Sequence, residues 1–181
     1  MKPTPSAPRD ARKEIYRGRV VNLNLETVTL PNGATIDLEV VRHQGAAAIV
    51  PLADDGTVLL IRQYRHAAGG YIYEIPAGKI EPGEDPLDCA AREVEEEIGH
   101  RASRLDHLVT FFTTPGFTDE VIHVYLATGL VPGTQSLGRD EVLDVVEMPL
   151  EEAIRRVADG TIRDGKTIVG LQTAYLRLRG A

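Results

Sequence analysis

Polar and apolar positions alternate first along Glu26-Thr27-Val28-Thr29-Leu30, the pattern of a half-buried strand. Pro31-Asn32-Gly33 follows, and Asn-Gly accepts the positive φ of a hairpin turn. Thr35-Ile36-Asp37-Leu38-Glu39-Val40 repeats the alternation on the way back. Strand-like sequence begins at Ile15, and Tyr16–Val21 forms an earlier run. Up to about residue 45 the chain therefore reads as a small antiparallel sheet with little core of its own. Such a sheet must pack on the rest of the chain or on a second subunit.

The pattern then changes. Ala46–Leu52 is continuously apolar, as suits a strand buried on both faces. Asp54-Asp55-Gly56 turns the chain, and Val58–Tyr64 is a second buried strand with polar residues at its end. Helices are predicted near 86–98, 150–158 and 166–178. Strands are predicted near 105–113, 120–128 and 143–147. In the last helix Ile168, Leu171, Tyr175 and Leu178 recur at helical spacing. Antiparallel strands mixed with a few helices predict an α+β fold, a sheet covered by helices.

Composition narrows the classes. A formal net charge of -7 disfavours a nucleic-acid partner, which calls for clustered Lys and Arg. The longest apolar runs fall well short of the roughly 20 residues of a membrane span. The segment 1–12 is rich in Pro, Ser and charge and reads as a flexible tail without the apolar stretch of a secretory signal. Cys89 is the single cysteine, so no intrachain disulfide forms. A cytoplasmic protein with neither membrane nor nucleic-acid partner is expected. The five histidines show no zinc spacing, and neither a P-loop nor Gly-x-Gly-x-x-Gly follows a strand.

The chemistry concentrates in Gly78–His100, GKIEPGEDPLDCAAREVEEEIGH. Asp85 suits the N-cap, Pro86 the first helical position, and Gly99 the stop. Leu87, Ala91, Val94 and Ile98 form an apolar stripe. Glu93, Glu96 and Glu97 share another face, about 120° away at 100° per residue. Like charges at this spacing repel by a few tenths of a kcal/mol. Acids in the last turns also oppose the helix dipole. Two broken local rules in one place mark a functional site. A divalent cation would turn the repulsion into ligation by oxygen. The plainer reading is a solvated acidic helix face.

The full spacing decides between them. Gly78, Glu84, Arg92-Glu93-Val94, Glu96-Glu97 and Gly99 fall on the pattern of the Nudix box, and the chain resembles the Nudix hydrolase family. It departs at His100, where the family has an aliphatic residue. The resemblance implies an α/β/α sandwich of mixed sheet and flanking helices over 46–181, preceded by a dimerising antiparallel sheet over 13–45. It implies hydrolysis of a diphosphate with Mg²⁺, or Mn²⁺ in its place. Glu93 and Glu97 would be direct metal ligands, Glu96 a further one directly or through water, and the Ala77 carbonyl would complete the set. Arg92 would orient the glutamates and Glu84 would support the helix start.

Residues outside the box point to a substrate class. Thr113-Thr114-Pro115-Gly116-Phe117-Thr118-Asp119-Glu120 places Pro115 fifteen residues beyond the box, which resembles the ADP-ribose pyrophosphatase subgroup. By that resemblance Arg65 would contact phosphate or ribose, Glu120 the terminal ribose, and Arg42 the adenine, with Pro115 and Gly116 at the substrate. Glu141, or alternatively Asp140, would be the acid of a loop over 133–140, as general base or extra ligand. Tyr64, Tyr71 and Tyr73 read as packing residues, of which one could stack on a base. The implied product pair is AMP and ribose 5-phosphate, and the implied assembly is a homodimer. ADP-glucose, ADP-mannose or GDP-mannose hydrolysis is the alternative, and a non-hydrolysing ADP-ribose-binding module the more distant one.

Overall fold

The computed structural model describes residues 9–139 and 141–180. They form two compact units: the chain up to His43 with Phe112–Val121, and Gln44–Phe111 with the chain from Ile122 onward.

In the first unit β1 (Arg9–Arg17), β2 (Asn22–Thr29) and β3 (Thr35–Val41) form an antiparallel sheet in that order. The β2–β3 hairpin closes through Gly33 N–H to Leu30 O at 2.8 Å, with Gly33 at φ 85°. Asn32 Oδ1 accepts from Ala34 N–H at 3.0 Å, so both residues of the Asn-Gly pair serve the turn. Two expectations change. The first strand starts at Arg9, so residues 9–12 belong to the sheet; residues 1–8 lie outside the described residues. The charged sequence of residues 9–12 lacks an apolar alternation, and the backbone ladder to β2 is what orders these four. The run at 16–21 is also broken, because Gly18 N–H bonds Val21 O at 2.8 Å and turns the chain. Ile15, Tyr16, Val20, Val21, Ile36 and Leu38 are exposed in this unit.

The second unit holds two sheets. One is antiparallel, with β10 (Leu143–Pro149), β5 (Thr57–Arg65) and β6 (Gly70–Glu74) in that order. The other is mixed, ordered β7 (Ala77–Lys79), β4 (Ala46–Pro51), β9 (Val121–Pro132), β8 (His100–Phe112). In it β4 runs parallel to β9 and antiparallel to β7.

The apolar runs sort by the two-residue period of a strand. Ala48, Val50, Val58 and Leu60 join Leu150 and Ala153 of α2 (Leu150–Ala158) and Leu171 and Ala174 of α3 (Gly165–Leu178). Ala47, Ile49, Leu59 and Ile61 join Cys89, Ala90, Val94 and Ile98 of α1 (Pro86–Ile98). Helices thus cover the strands from two sides, which explains why β4 and β5 lack a polar face. Gly170 lets α3 approach closely: a Cβ there would meet Ile75 Cδ1 at 2.8 Å. Leu178, expected in the core, is 52% exposed and is the last residue of α3. Among the described residues no helix is long and apolar enough to cross a membrane.

Candidate active site

Helix α1 begins and ends as its sequence predicts. Asp85 Oδ1 accepts from Leu87 N–H at 2.8 Å, Pro86 follows, and Gly99 closes the helix at φ 64°. Its buried face differs from the predicted stripe. Leu87 and Ala91 are exposed, whereas Cys89, Ala90, Glu93, Val94, Glu97 and Ile98 are buried. Two of the three clustered glutamates therefore lie on the packed side. Only Glu96 fits the solvated-face reading, with its side chain 43% exposed.

Specific donors hold these acids. Arg92 Nη1 donates to Glu93 at 2.6 Å and to Glu96 at 2.9 Å, while its Nε donates to Glu84 at 3.0 Å. Glu84 in turn accepts from Glu81 N–H at 2.8 Å, which ties the loop to the helix start. Hydrogen bonding to Glu84, then the charges of Glu93, raise the Arg92 pKa above its ordinary value against the cost of burial. Glu97 accepts from Ala77 N–H at 2.9 Å. Burial pushes the Glu97 carboxyl up to about 8; the Ala77 N–H opposes the rise and the charges of Glu93 and Glu141 add to it. Burial raises Glu93 too, with Arg92 opposing.

These residues fit a hard divalent ion. All the donors are oxygens, and burial raises the pKa of both buried carboxylates, Glu93 and Glu97, a desolvation cost that a cation would offset. The Glu93 carboxylate is cradled where a side chain on Gly78 would stand. Among the described residues no three His, Cys, Asp or Glu side chains are grouped as a finished metal shell. Arg92 and the Ala77 N–H engage the glutamates in this arrangement.

The loop after β9 caps the same helix. Gly133 N–H bonds Gly99 O at 2.7 Å, Gln135 Nε2 bonds Glu97 O at 2.7 Å, and Ser136 N–H bonds Glu96 O at 2.9 Å. The carbonyls left open at the end of α1 are met in this way, and the part of the loop expected to move is anchored up to Ser136. Glu141 follows, its carboxylate accepting from Gly138 N–H at 2.6 Å. Its charge reaches both Glu93 and Glu97. Asp140, the alternative acid, lies outside the described residues. His100 turns its ring to Ile98 O, 2.8 Å from Nδ1, so a polar side chain serves the helix end where the family has an aliphatic one.

Arg65 is committed within the protein, donating to Glu74 at 2.7 and 2.9 Å. Sequence reasoning passed over Glu74, Asp164, Lys166 and Thr167, which form one part-buried network with it. The signal available was Asp164 before Gly-Lys-Thr as a helix N-cap. Tyr64 and Tyr71 are half exposed and meet edge to face at 5.5 Å, with Arg62 over the Tyr71 ring at 4.5 Å.

The remaining expected substrate residues belong to the first unit. Arg42 donates to Glu26 and, at 2.8 Å, to Asp119. Asp119 also accepts from His43 N–H at 2.8 Å. Glu120 accepts from Thr113 Oγ1 at 2.9 Å and lies 3.5 Å from His43 Nδ1. Pro115 and Gly116 occupy an exposed turn closed by Phe117 N–H to Thr114 O at 3.1 Å.

The sequence profile of the NUDIX domain matches residues 42–169. The chain belongs to the Nudix family. A methanol dehydrogenase activator from Bacillus methanolicus is 42% identical over 171 residues, 93% of this chain and 91% of its own. An ADP-ribose pyrophosphatase from Bacillus subtilis (strain 168) is 40% identical over 173 residues, 94% and 92% of the two chains. A crystal structure of an ADP compounds hydrolase superposes with a TM-score of 0.86 over 99% of this chain and 98% of its own. At 24% identity that likeness shows a shared Nudix fold.

Proposed function

We propose that this Nudix chain hydrolyses the diphosphate of ADP-ribose to AMP and ribose 5-phosphate with Mg²⁺, Mn²⁺ being able to replace it. One observation carries the reading: Glu93 and Glu97 are buried carboxylates on one helix face, and Glu97 is held by a neutral N–H. Glu93, Glu96 and Glu97, with the Ala77 carbonyl, would hold the ion. An ion held there would supply charge neutralisation for the diphosphate and a lowered pKa for the attacking water. Arg92 keeps Glu93 and Glu96 oriented, and Glu84 keeps Arg92 in place. Glu141 acts as base on that water or as a further ligand; its charge already reaches Glu93 and Glu97. Arg65 serves the phosphates or ribose, and Arg42, Pro115, Gly116 and Glu120 the nucleoside and terminal ribose.

The substrate assignment is supported by the 40% identical ADP-ribose pyrophosphatase. The 42% identical activator spans nearly the same length, so identity does not separate the two relatives and assay does. We further infer a cytoplasmic homodimer, supported by the exposed Ile15, Tyr16, Ile36 and Leu38 of the first unit. A monomer on size-exclusion chromatography overturns the dimer.

The test is product analysis with Mg²⁺ on ADP-ribose, ADP-glucose, GDP-mannose, NADH and dGTP. Fastest cleavage of ADP-ribose to AMP is expected. A sugar nucleotide cleaved faster would keep the chemistry and overturn the substrate. Binding of ADP-ribose without turnover at any Mg²⁺ or Mn²⁺ concentration would make the chain a binding module.

A further inference from the structure

We infer that the first turn of α3 is a positioning device for the ion-binding end of the site. It acts through the segment Glu74-Ile75-Pro76-Ala77, with Thr167 and Lys166 as the positioning residues. The inference rests on the reading of Ala77 and Glu97 as ion ligands.

The segment joins β6 to β7 and is held at each step. The Glu74 carboxylate, 1% exposed, accepts from Arg65 at 2.7 and 2.9 Å and from Lys166 Nζ. Ile75 N–H donates to Thr167 Oγ1 at 2.8 Å. The Pro76 carbonyl accepts from Ile49 N–H at 2.9 Å, and Ala77 N–H donates to Glu97 at 2.9 Å. Two helices thus grip four consecutive residues, α3 at the first two and α1 at the last.

The α3 grip is itself built. Thr167 is fully buried, and its hydroxyl proton goes to Asp164 Oδ2 at 2.6 Å. That bond leaves the oxygen free to accept from Ile75. Lys166 Nζ bridges Glu74 to Asp164, at 3.0 Å from the latter. Arg65 and Lys166 balance Glu74 and Asp164, so the network encloses no uncompensated charge. Gly170, one turn on, brings the helix against Ile75: a Cβ there would lie 2.8 Å from Ile75 Cδ1. Residue 75 is therefore fixed by α3 through both a polar and an apolar contact. Pro76 has a fixed φ and follows directly. A shift at Ile75 passes to Ala77, and through the Ala77 N–H to the Glu97 carboxylate. Residues that orient ligands from behind change metal affinity by about 10–100-fold when removed.

Thr167→Val tests this with little change of shape. It removes the hydroxyl and leaves the Asp164 carboxylate bonded to the residue 167 N–H, now 3.0 Å away, so the helix cap survives. Mn²⁺ alone is titrated into each protein and free Mn²⁺ is read by electron paramagnetic resonance. Circular dichroism melts identify folded protein, and the Mn²⁺ midpoint of ADP-ribose hydrolysis gives a second reading that the folded fraction does not set. Thr167→Val and Lys166→Met are expected to weaken Mn²⁺ binding about tenfold or more and to raise the midpoint equally. Thr167→Ser and Lys166→Arg restore both. Arg179→Gln, at the far end of α3, behaves as wild type. Wild-type Mn²⁺ affinity and midpoint in Thr167→Val overturn the inference. No Mn²⁺ binding by the wild type overturns the ligand reading beneath it.

Discussion

A Cβ built on Gly78 would lie 1.7 Å from Oε1 of Glu93 and 2.0 Å from its Cδ. The Glu93 carboxylate occupies the place of a side chain at residue 78. The backbone of Gly78 is outside the left-handed region, so glycine is required there for space. Glu93 has little freedom to yield, being buried on α1 and held by Arg92 at 2.6 Å. Gly78→Ala is expected to displace the carboxylate and lower kcat roughly 10–100-fold, the usual effect of misplacing a metal ligand. Steady-state kinetics with Mg²⁺ checks it, and wild-type kcat in that variant would remove Glu93 from the ion site.

Arg92 spans three carboxylates, Glu84, Glu93 and Glu96, with one planar guanidinium. A lysine offers a point charge and cannot reproduce that fork. Arg92→Ala leaves Glu93 buried without its cation. The expected loss of metal-free stability is about 2 kcal/mol, below the figure for a fully buried pair because Arg92 is 30% exposed. Urea unfolding measures it. Arg92→Lys should recover less than half of the lost stability, and full recovery would mean that charge alone matters.

The start and end of α1 are legible in sequence because caps are local: Asp85, Pro86 and Gly99 act on their own neighbours. Its buried face is not. Pattern reading sends glutamates to solvent and leucines to the core, and here Glu97 is 3% exposed while Leu87 is 41% exposed. The family spacing singled out the acids without showing where they lie. β6 and β7 are too short, at five and three residues, to carry a period. The partners of Ile75 and Arg42 are 92 and 77 residues away, beyond any local signal. Arg42 and Arg65 read as free cations for a substrate, and only the structure shows their carboxylate partners Glu26, Asp119 and Glu74.

On the proposed function, Glu97 sets stability against activity. Burial raises its carboxyl from 4.5 to about 8 in the folded metal-free protein. The folded state then holds a proton that the unfolded state releases, so its contribution to stability is full below 4.5 and is lost as pH rises through about 8. Glu97→Gln does not titrate. Without metal it should melt several degrees above wild type at pH 9 and close to it at pH 5. With Mg²⁺ it should lose most hydrolysis. Differential scanning calorimetry at the two pH values decides, and equal melting at pH 9 would contradict the burial cost of the carboxylate.

Glu74 has the opposite sign. Burial pushes its carboxyl up, but Arg65 and Lys166 more than offset this and the carboxyl falls below 4.5. A lowered folded-state value stabilises the protein above 4.5, and that stabilisation is lost as pH falls through the lowered value. Glu74→Gln keeps the shape and removes the titration. At pH 7 the wild type should exceed it by about 2 kcal/mol, the scale of hydrogen bonds to a charged group. The gap should shrink as both proteins are taken from pH 5 toward pH 2, because only the wild type has a carboxylate to protonate there. Urea unfolding at each pH gives the gap directly. A gap that stayed constant into acid would mean that Arg65 and Lys166 do not hold Glu74 ionised, and that the network on α3 is held by packing alone.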